Sequence, residues 1–330
     1  MPKPIDTDRF SKTLRERLFD PATREVLIAY LPDSHEAEDA YTKINCAGYG
    51  RIRTYENYTL HLRTRDHGAR PMFRGHPPQQ QLRTQVFQLA GCNWRCWYCF
   101  VDDDRLSGNR KVSRFFTAEQ LVEMYLGQPH PPGVLDLSGG QPDLVPEWTL
   151  WTMQALEERG LRGATYVWSD DNLSTRYLWE HLSSSEIEYM ATFPRHSRVG
   201  CFKGFDPASF AHTSGAEPEL FDRQFDVFRD LLAEGFDLYA YATFTGPLPS
   251  DPGSAVASFV DRLQEIHPNL PLRTVPLRIH PFATTQQRLN PSRRSALTTQ
   301  HEVYDHWDAE LAARFSDELL QLPSDEVVLA

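Results

Sequence analysis

The chain has 330 residues, with 45 acidic against 34 basic side chains, a net charge of -11 and a pI near 5.6. An acid excess of that size excludes sequence-independent wrapping of nucleic acid, which relies on surplus Lys and Arg. No apolar run approaches the roughly 18 residues a membrane span requires, and the opening "MPKPIDTDRF" lacks the apolar core of a signal peptide, so a cytoplasmic protein without membrane association is expected.

The length accommodates one barrel-sized domain with a smaller appendage. Residues 1–83 read as an amino-terminal extension and substrate-side cap, ended by the linker-like "HPPQQQ" at 76–81. Within it, residues 51–83 carry seven arginines interleaved with Tyr55, Tyr58, His61 and Phe73. Two readings stay open for that stretch: a grip on an anionic substrate or a short piece of RNA, and a solvated hairpin face with guanidiniums laid on rings.

From residue 84 onward, apolar strands alternate with amphipathic helices. The strands are "TQVFQLAG" (84–91), "GVLDLSGG" (133–140), "ATYVWSDDN" (164–172), "RVGCFKGFD" (198–206), "DLYAYATFTG" (237–246) and "LRTVPLRIHPF" (272–282). Between them "TAEQLVEMYLG", "EWTLWTMQALEERG", "TRYLWEHLSSSEIEYM", "PELFDRQFDVFRDLLAEG" and "GSAVASFVDRLQEIHP" place apolar residues at helical spacing. Such alternation predicts a parallel sheet covered by helices, closed or partly closed into a barrel, with functional residues at the carboxyl ends of strands; an open doubly wound sheet is the alternative. The core is expected over 84–290, followed by a carboxyl-terminal helical segment at 291–330 whose helix "ALTTQHEVYDHWDAELAARF" caps the barrel. His301 and His306 on that helix, beside Glu302 and Asp305, imitate a metal site without a third convergent ligand.

Three of the five cysteines fall in "LAGCNWRCWYCF" (89–100), directly after the first strand: Cys92, Cys96 and Cys99, spaced Cys-x3-Cys-x2-Cys. Five thiols is an odd count for disulfide pairing, and a tight cluster in a reducing compartment points to metal. Zinc favours a fourth Cys or His; an iron-sulfur cube held by three thiolates keeps one iron with an open position for a ligand. The remaining Cys46 and Cys201 are too few for a second cluster and read as small buried hydrophobes, with Cys201 a candidate hydrogen donor if it faces the barrel interior.

The spacing, with Tyr98 as the aromatic before the last cysteine, resembles the radical S-adenosylmethionine superfamily over roughly residues 84–290. The resemblance implies an α/β fold, a partial (β/α)6 TIM-like barrel, with Cys92, Cys96 and Cys99 holding one [4Fe-4S] cluster. It also implies that the open iron chelates S-adenosylmethionine, which is cleaved reductively to a 5′-deoxyadenosyl radical that abstracts hydrogen from substrate. "LSGGQPDL" (137–144) is similar to the family's Gly-Gly-Glu-Pro-like segment, so Ser138, Gly139, Gly140 and Gln141 would hold the methionyl amino group, with Gln141 standing where the family has Glu. Asp170, Asp171 and Asn172 fit a ribose hydroxyl or, equally, a helix N-cap before "TRYLW". "VGCFKGFDPASFAHTSG" resembles a segment of glycyl-radical-enzyme activating enzymes through Lys203, His212, Thr213 and Gly215, with Cys201 in place of an Asp. Lys203 would act in the site as a point charge; the alternative is a surface lysine.

The implied partners are a flavodoxin or ferredoxin as electron donor and a small-molecule or RNA substrate, anionic where the arginine stretch grips it, acted on by a monomer or simple homodimer. An activase that installs a glycyl radical on a partner protein and a non-enzymatic iron-sulfur protein are the competing functions.

Overall fold

The computed structural model describes residues 3–40, 42–56 and 81–329. In chain order its strands are β1 (Phe19–Asp20), β2 (Glu25–Ala29), β3 (Lys43–Asn45), β4 (Gly50–Glu56), β5 (Gln81–Gln88), β6 (Ser113–Thr117), β7 (Val134–Ser138), β8 (Tyr166–Asp171), β9 (His196–Lys203), β10 (Leu238–Thr243) and β11 (Thr274–Pro276). The helices are α1 (Thr7–Leu18), α2 (Ala118–Leu126), α3 (Pro146–Glu158), α4 (Tyr177–His181), α5 (Ser184–Ala191), α6 (Pro207–Ser214), α7 (Arg223–Ala233), α8 (Pro252–Ile266), α9 (Ala283–Gln287), α10 (Pro291–Arg314) and α11 (Asp317–Gln321).

Six parallel strands run in the order β5-β7-β8-β9-β10-β11, the six anticipated from the βα alternation, and the barrel is not closed. On the open side of β5 the sheet continues antiparallel through β4 and β3, while β1, β2 and β6 form a separate three-stranded sheet. The expected boundary at 83/84 therefore falls inside β5, and residues before it supply two strands to the same sheet. Most of the "HPPQQQ" linker and most of the Arg-rich stretch, residues 57–80, lie outside the described residues.

Local chemistry sets the element ends. The helix expected over 175–190 is two helices, because Leu182 leaves the helical region and Ser183 opens α5 with a capping box to Glu186. A further helix, α6, interrupts the stretch after β9; Asp206 caps it and Gly215, at φ 75, ends it in the left-handed region. The last parallel strand is only three residues long, since Pro276 removes a ladder donor and the chain turns into the short α9.

The two faces of the sheet bury different residues. Phe87, Leu137, Val167, Phe202 and Ala242 face the helices and pack with Trp148, Met153, Phe228 and Phe259 in the main core. Leu82, Val134, Trp168, Val199 and Tyr239 form a smaller apolar cluster on the other, inner face. The carboxyl-terminal helix α10 packs on α8: Val303, Trp307 and Leu311 are buried, and Trp307 lies 6.4 Å from the Phe259 ring of α8. Among the described residues no three His, Cys, Asp or Glu side chains come together closely enough to hold a single metal ion, on this helix or elsewhere. No described helix is long and apolar enough to cross a membrane.

Truncating Trp307 to Ala should leave a cavity costing about 3–5 kcal/mol of unfolding free energy, whereas Glu302→Ala on the exposed face should stay within about 0.5 kcal/mol; urea denaturation of both variants checks the assignment of the capping face.

Candidate functional site

The carboxyl ends of β5, β7, β8, β9 and β10 gather one set of side chains. The chain after β5 reaches Cys92 through Leu89, whose N–H bonds the Ser138 carbonyl at 3.2 Å, and Ala90, whose N–H bonds the Leu27 carbonyl at 2.9 Å. The cysteine loop then closes on itself, Cys99 N–H donating to the Cys96 carbonyl at 3.0 Å. Its backbone also pairs with the end of α6, Arg95 N–H to the Ser214 carbonyl at 2.9 Å and Trp97 N–H to the Thr213 carbonyl at 3.3 Å. Thr213 and Gly215, singled out in the sequence, thus lie beside the loop as its scaffold. His212 is on the same helix with Nε2 buried and without a partner.

Five further hydrogen bonds fix the loop. The Arg95 guanidinium donates to the Cys92 carbonyl at 2.5 Å, and that of Arg288 donates to the carbonyls of Cys99 and Val101 at 2.7 and 2.9 Å. Thr285 of α9 donates to the Tyr98 carbonyl at 2.9 Å. The Tyr98 hydroxyl crosses to Thr243 at the end of β10, 3.2 Å away. Sequence reasoning did not single out Arg95, Arg288 or Thr285; each acts on main-chain carbonyls, and no motif marks such a role.

All three loop cysteines are free thiols. Burial pushes their pKa values up, to about 11 for Cys96 and about 12 for Cys99, and each of these two is raised further by its neighbouring cysteines. Lys203 opposes the rise at Cys92 and Cys96, and Arg288 opposes it at Cys96 and Cys99. Three thiols under two basic side chains suit a metal group that draws off their protons, and three thiolates are the donor set of a cube that keeps one iron open.

The Gly-Gly segment sits against this loop. Gly139 has φ 82, and a Cβ there would overlap the Gln88 side chain; a Cβ on Gly140 would collide with the carbonyl oxygens of Leu89 and Gly91. The glycines therefore let the turn after β7 lie directly on the approach to Cys92. Gln141 is 1 % exposed and its amide is engaged on both sides: Nε2 donates to Asp171 Oδ1 at 2.7 Å and Oε1 accepts from the Asn172 N–H at 2.8 Å.

Asp171 is buried, bonding the Leu173 N–H at 2.8 Å and facing Arg198 at 3.3 Å. Arg198 also pairs with Asp143 at 2.5 Å; burial raises the Asp143 pKa to about 7 against the pull of that guanidinium. Asn172 accepts from the Ser174 N–H at 3.1 Å and donates to Asn93 at 2.9 Å and to Cys92 Sγ at 3.8 Å. The N-cap alternative for Asp171 and Asn172 does not hold, because α4 starts only at Tyr177 after Arg176; the two side chains make turns to the residue two positions on instead.

Lys203 is 5 % exposed, which overturns the surface-lysine alternative; its Nζ donates to the Cys201 carbonyl at 2.7 Å. Strand register puts Lys203 level with Thr243, and Cys201 level with Tyr241, on the inner face. Cys201 is half-buried there, its thiol pushed up to about 12 by burial, whereas Cys46 is buried in the core as a small hydrophobe.

The same face carries Asp136 and Asp170; Asp170 is one of the short acceptors read at the end of the third strand, whereas Asp136 sits inside a strand read as apolar. Burial raises both, Asp136 well above the usual carboxylate range and Asp170 to about 6, and Asp136 Oδ1 is buried without a partner. Alternation within "VLDLS" was the available signal, since it sets Asp136 and Ser138 on one face of β7. Across the open edge Arg51 is buried against Glu36 and Gln88, and the Arg51 and Arg53 guanidiniums lie 5.1 and 5.2 Å from the Phe100 ring. These two arginines belong to a hairpin with guanidiniums on a ring, but Arg51 is enclosed and not solvated.

A cavity of about 1010 Å³ opens at the opposite end of the strands, among Leu82, Tyr166, Tyr239 and Arg273, covered by Val327 and Leu329. It contains none of the cysteine-loop residues.

No family model and no curated protein matches the sequence. Among solved structures the fold is similar to SuiB of Streptococcus suis bound to the precursor peptide SuiA, at 18 % identity, TM-score 0.39, over 55 % of this chain and 36 % of that one. SuiB bound to S-adenosylmethionine matches at 18 % identity and TM-score 0.38, over 54 % and 36 % of the two chains. Native anSMEcpe with bound AdoMet matches at 14 % identity and TM-score 0.41, over 68 % of this chain and 60 % of that one. The chain thus spans little more than a third of SuiB's length, and likenesses at this identity and TM-score carry no argument about chemistry.

The raised carboxylates give a pH signature. A carboxyl group whose folded pKa exceeds its unfolded value favours the folded state while protonated, so stability falls as pH rises from about 4 through about 6 and is flat above. Replacing Asp170 by Asn should remove part of that fall. Relative to the parent, the variant should gain more stability at pH 8 than at pH 5 in urea denaturation, and equal effects at the two pH values would refute the assignment.

Proposed function

We propose that this chain is a radical S-adenosylmethionine enzyme with one [4Fe-4S] cluster on Cys92, Cys96 and Cys99. The observation that carries the reading is the joining of the three-cysteine loop to the Gly139–Gly140 turn, with Gln141 N–H on the Gly91 carbonyl at 2.8 Å. An isolated electron carrier has no need of such a turn beside its thiols. When bound, the group supplies one electron to S-adenosylmethionine, releasing methionine and a 5′-deoxyadenosyl radical that takes a hydrogen from substrate.

The chain's residues would divide the remaining work. The main chain of Ser138 to Gln141 borders the methionyl end; the Gln141 amide already spans Asp171 and Asn172, so its contribution there is to hold the turn in place. Tyr98, tied to Thr243, walls the adenosyl side. Lys203, Asp136, Asp170 and Cys201 face the interior where substrate would lie, and Lys203 sets a positive charge beside the loop to receive negative charge. The substrate is a small molecule or RNA segment delivered to the open edge beside Arg53, with a flavodoxin- or ferredoxin-type reductant and a cytoplasmic setting. Activation of a partner protein through a glycyl radical is the second reading, favoured by Lys203, Thr213 and Gly215 and weakened by Cys201 in place of the acid.

Anaerobic reconstitution should give about four irons and four sulfides per chain, and Ala at Cys92, Cys96 or Cys99 should remove most of the brown chromophore while Cys46→Ala keeps it. With S-adenosylmethionine and a strong reductant, the parent should form 5′-deoxyadenosine slowly, and deuterium should enter it only from a substrate of the correct class. A chain that holds zinc tightly and never assembles iron, or a reduced cube that yields no 5′-deoxyadenosine, would sink the proposal.

A further inference from the structure

The departure from Glu at position 141 has a partner elsewhere in the chain. Asp143 and Asp171 share the Arg198 guanidinium in a buried cluster, two carboxylates around one cation, with Arg198 1 % and Asp171 2 % exposed. Asp171 Oδ1 needs a donor at 2.7 Å, and the residue across from it must also accept the Asn172 N–H at 2.8 Å. An amide meets both demands in one side chain; a carboxylate would meet the second and set a like charge against Asp171 for the first.

The chain of contacts does not stop there. By bonding the Asn172 main chain, Gln141 fixes the residue whose Nδ2 donates to Cys92 Sγ at 3.8 Å, while Asn172 Oδ1 is held by the Ser174 N–H at 3.1 Å and Nδ2 is shared with Asn93 at 2.9 Å. Asn93 is itself buried and held by further contacts, donating to Ser11 and Ser174 at 2.8 and 2.7 Å. Asn172 is thus anchored at its main chain and at both ends of its amide, and aimed at a thiol.

Building on the proposed cluster, we infer that Asn172 is a positioning residue that hydrogen-bonds the Cys92 thiolate and raises the reduction potential of the cluster. Arg198, Asp143, Asp171 and Gln141 act through it by fixing its place. The physical basis is that an N–H donor stabilises the sulfur more as electron density on it grows, so its loss disfavours the reduced state.

The test is a redox titration of the reconstituted full-length chain, followed by electron paramagnetic resonance, for the parent, Asn172→Ala, Asn172→Asp and Gln141→Glu. Asn172→Asp keeps the acceptor for Ser174 while it removes the donors and adds a charge, so it guards against a turn that collapses in the Ala variant. Both Asn172 variants should be harder to reduce by about tenfold in the equilibrium constant, about 59 mV for one electron, with the Asp variant shifted more because it adds a charge. Gln141→Glu should shift in the same direction and also lower the melting temperature. Potentials equal to the parent's in intact cubes overturn the inference while leaving the cluster assignment standing, and so does a failure of both Asn172 variants to assemble a cube that the parent assembles. If the parent forms no cube, the cluster reading falls and this inference with it.

Discussion

The site depends on one close approach: the turn after β7 lies on the main chain that leads from β5 into the cysteine loop, with no room for a Cβ on Gly140 between the carbonyls of Leu89 and Gly91. Neighbouring parallel strands hold their ends about 5 Å apart whatever they carry, but a turn with side chains would stand off from its neighbour. With glycine there, Gln141 N–H bonds the Gly91 carbonyl and the Gln141 side chain reaches the end of β8. Three strand ends are joined, and Cys92 is placed at the junction.

Around that junction the electrostatics follow from burial. Thiols and carboxylates enclosed by strands favour their neutral forms, as the upward shifts of Cys99, Asp143 and Asp170 show. Arg288 and Lys203 counter this at the thiols, and Arg198, which also pairs with Asp171, counters it at Asp143. Two separate compensating clusters result, one of main-chain and thiol groups and one of carboxylates, connected by the neutral amides of Gln141 and Asn172.

The two ends of the strands are put to different use. At the carboxyl ends the inner face turns polar, with Asp136, Asp170, Cys201 and Lys203 where the proposed chemistry would need substrate contacts. At the amino ends it is apolar and aromatic, with Arg273 laid over Tyr239 at 4.0 Å and the chain's last described residues closing the cavity. This is the division expected of a parallel barrel, in which one end carries function and the other stability.

What the sequence determined by itself was periodic or local: the six βα units from their alternation, the loop position of Cys92, Cys96 and Cys99 after the first of them, and the glycines at the second turn. Those features depend on neighbours a few residues apart, which a sequence displays directly. The tertiary structure alone decided that residues before 84 complete the sheet, since strand pairing between β4 and β5 spans a stretch of chain with no periodic signal of its own. It also decided that Lys203 is enclosed, that Asp171 answers to Arg198, and that Gln141 faces another strand end. Each of these is a contact between residues about 20 to 60 positions apart along the chain. Burial and charge pairing at that range arise only once the strands are laid side by side, which is why a glutamine that reads as a weakened ligand in the sequence is, in the fold, the amide its surroundings require.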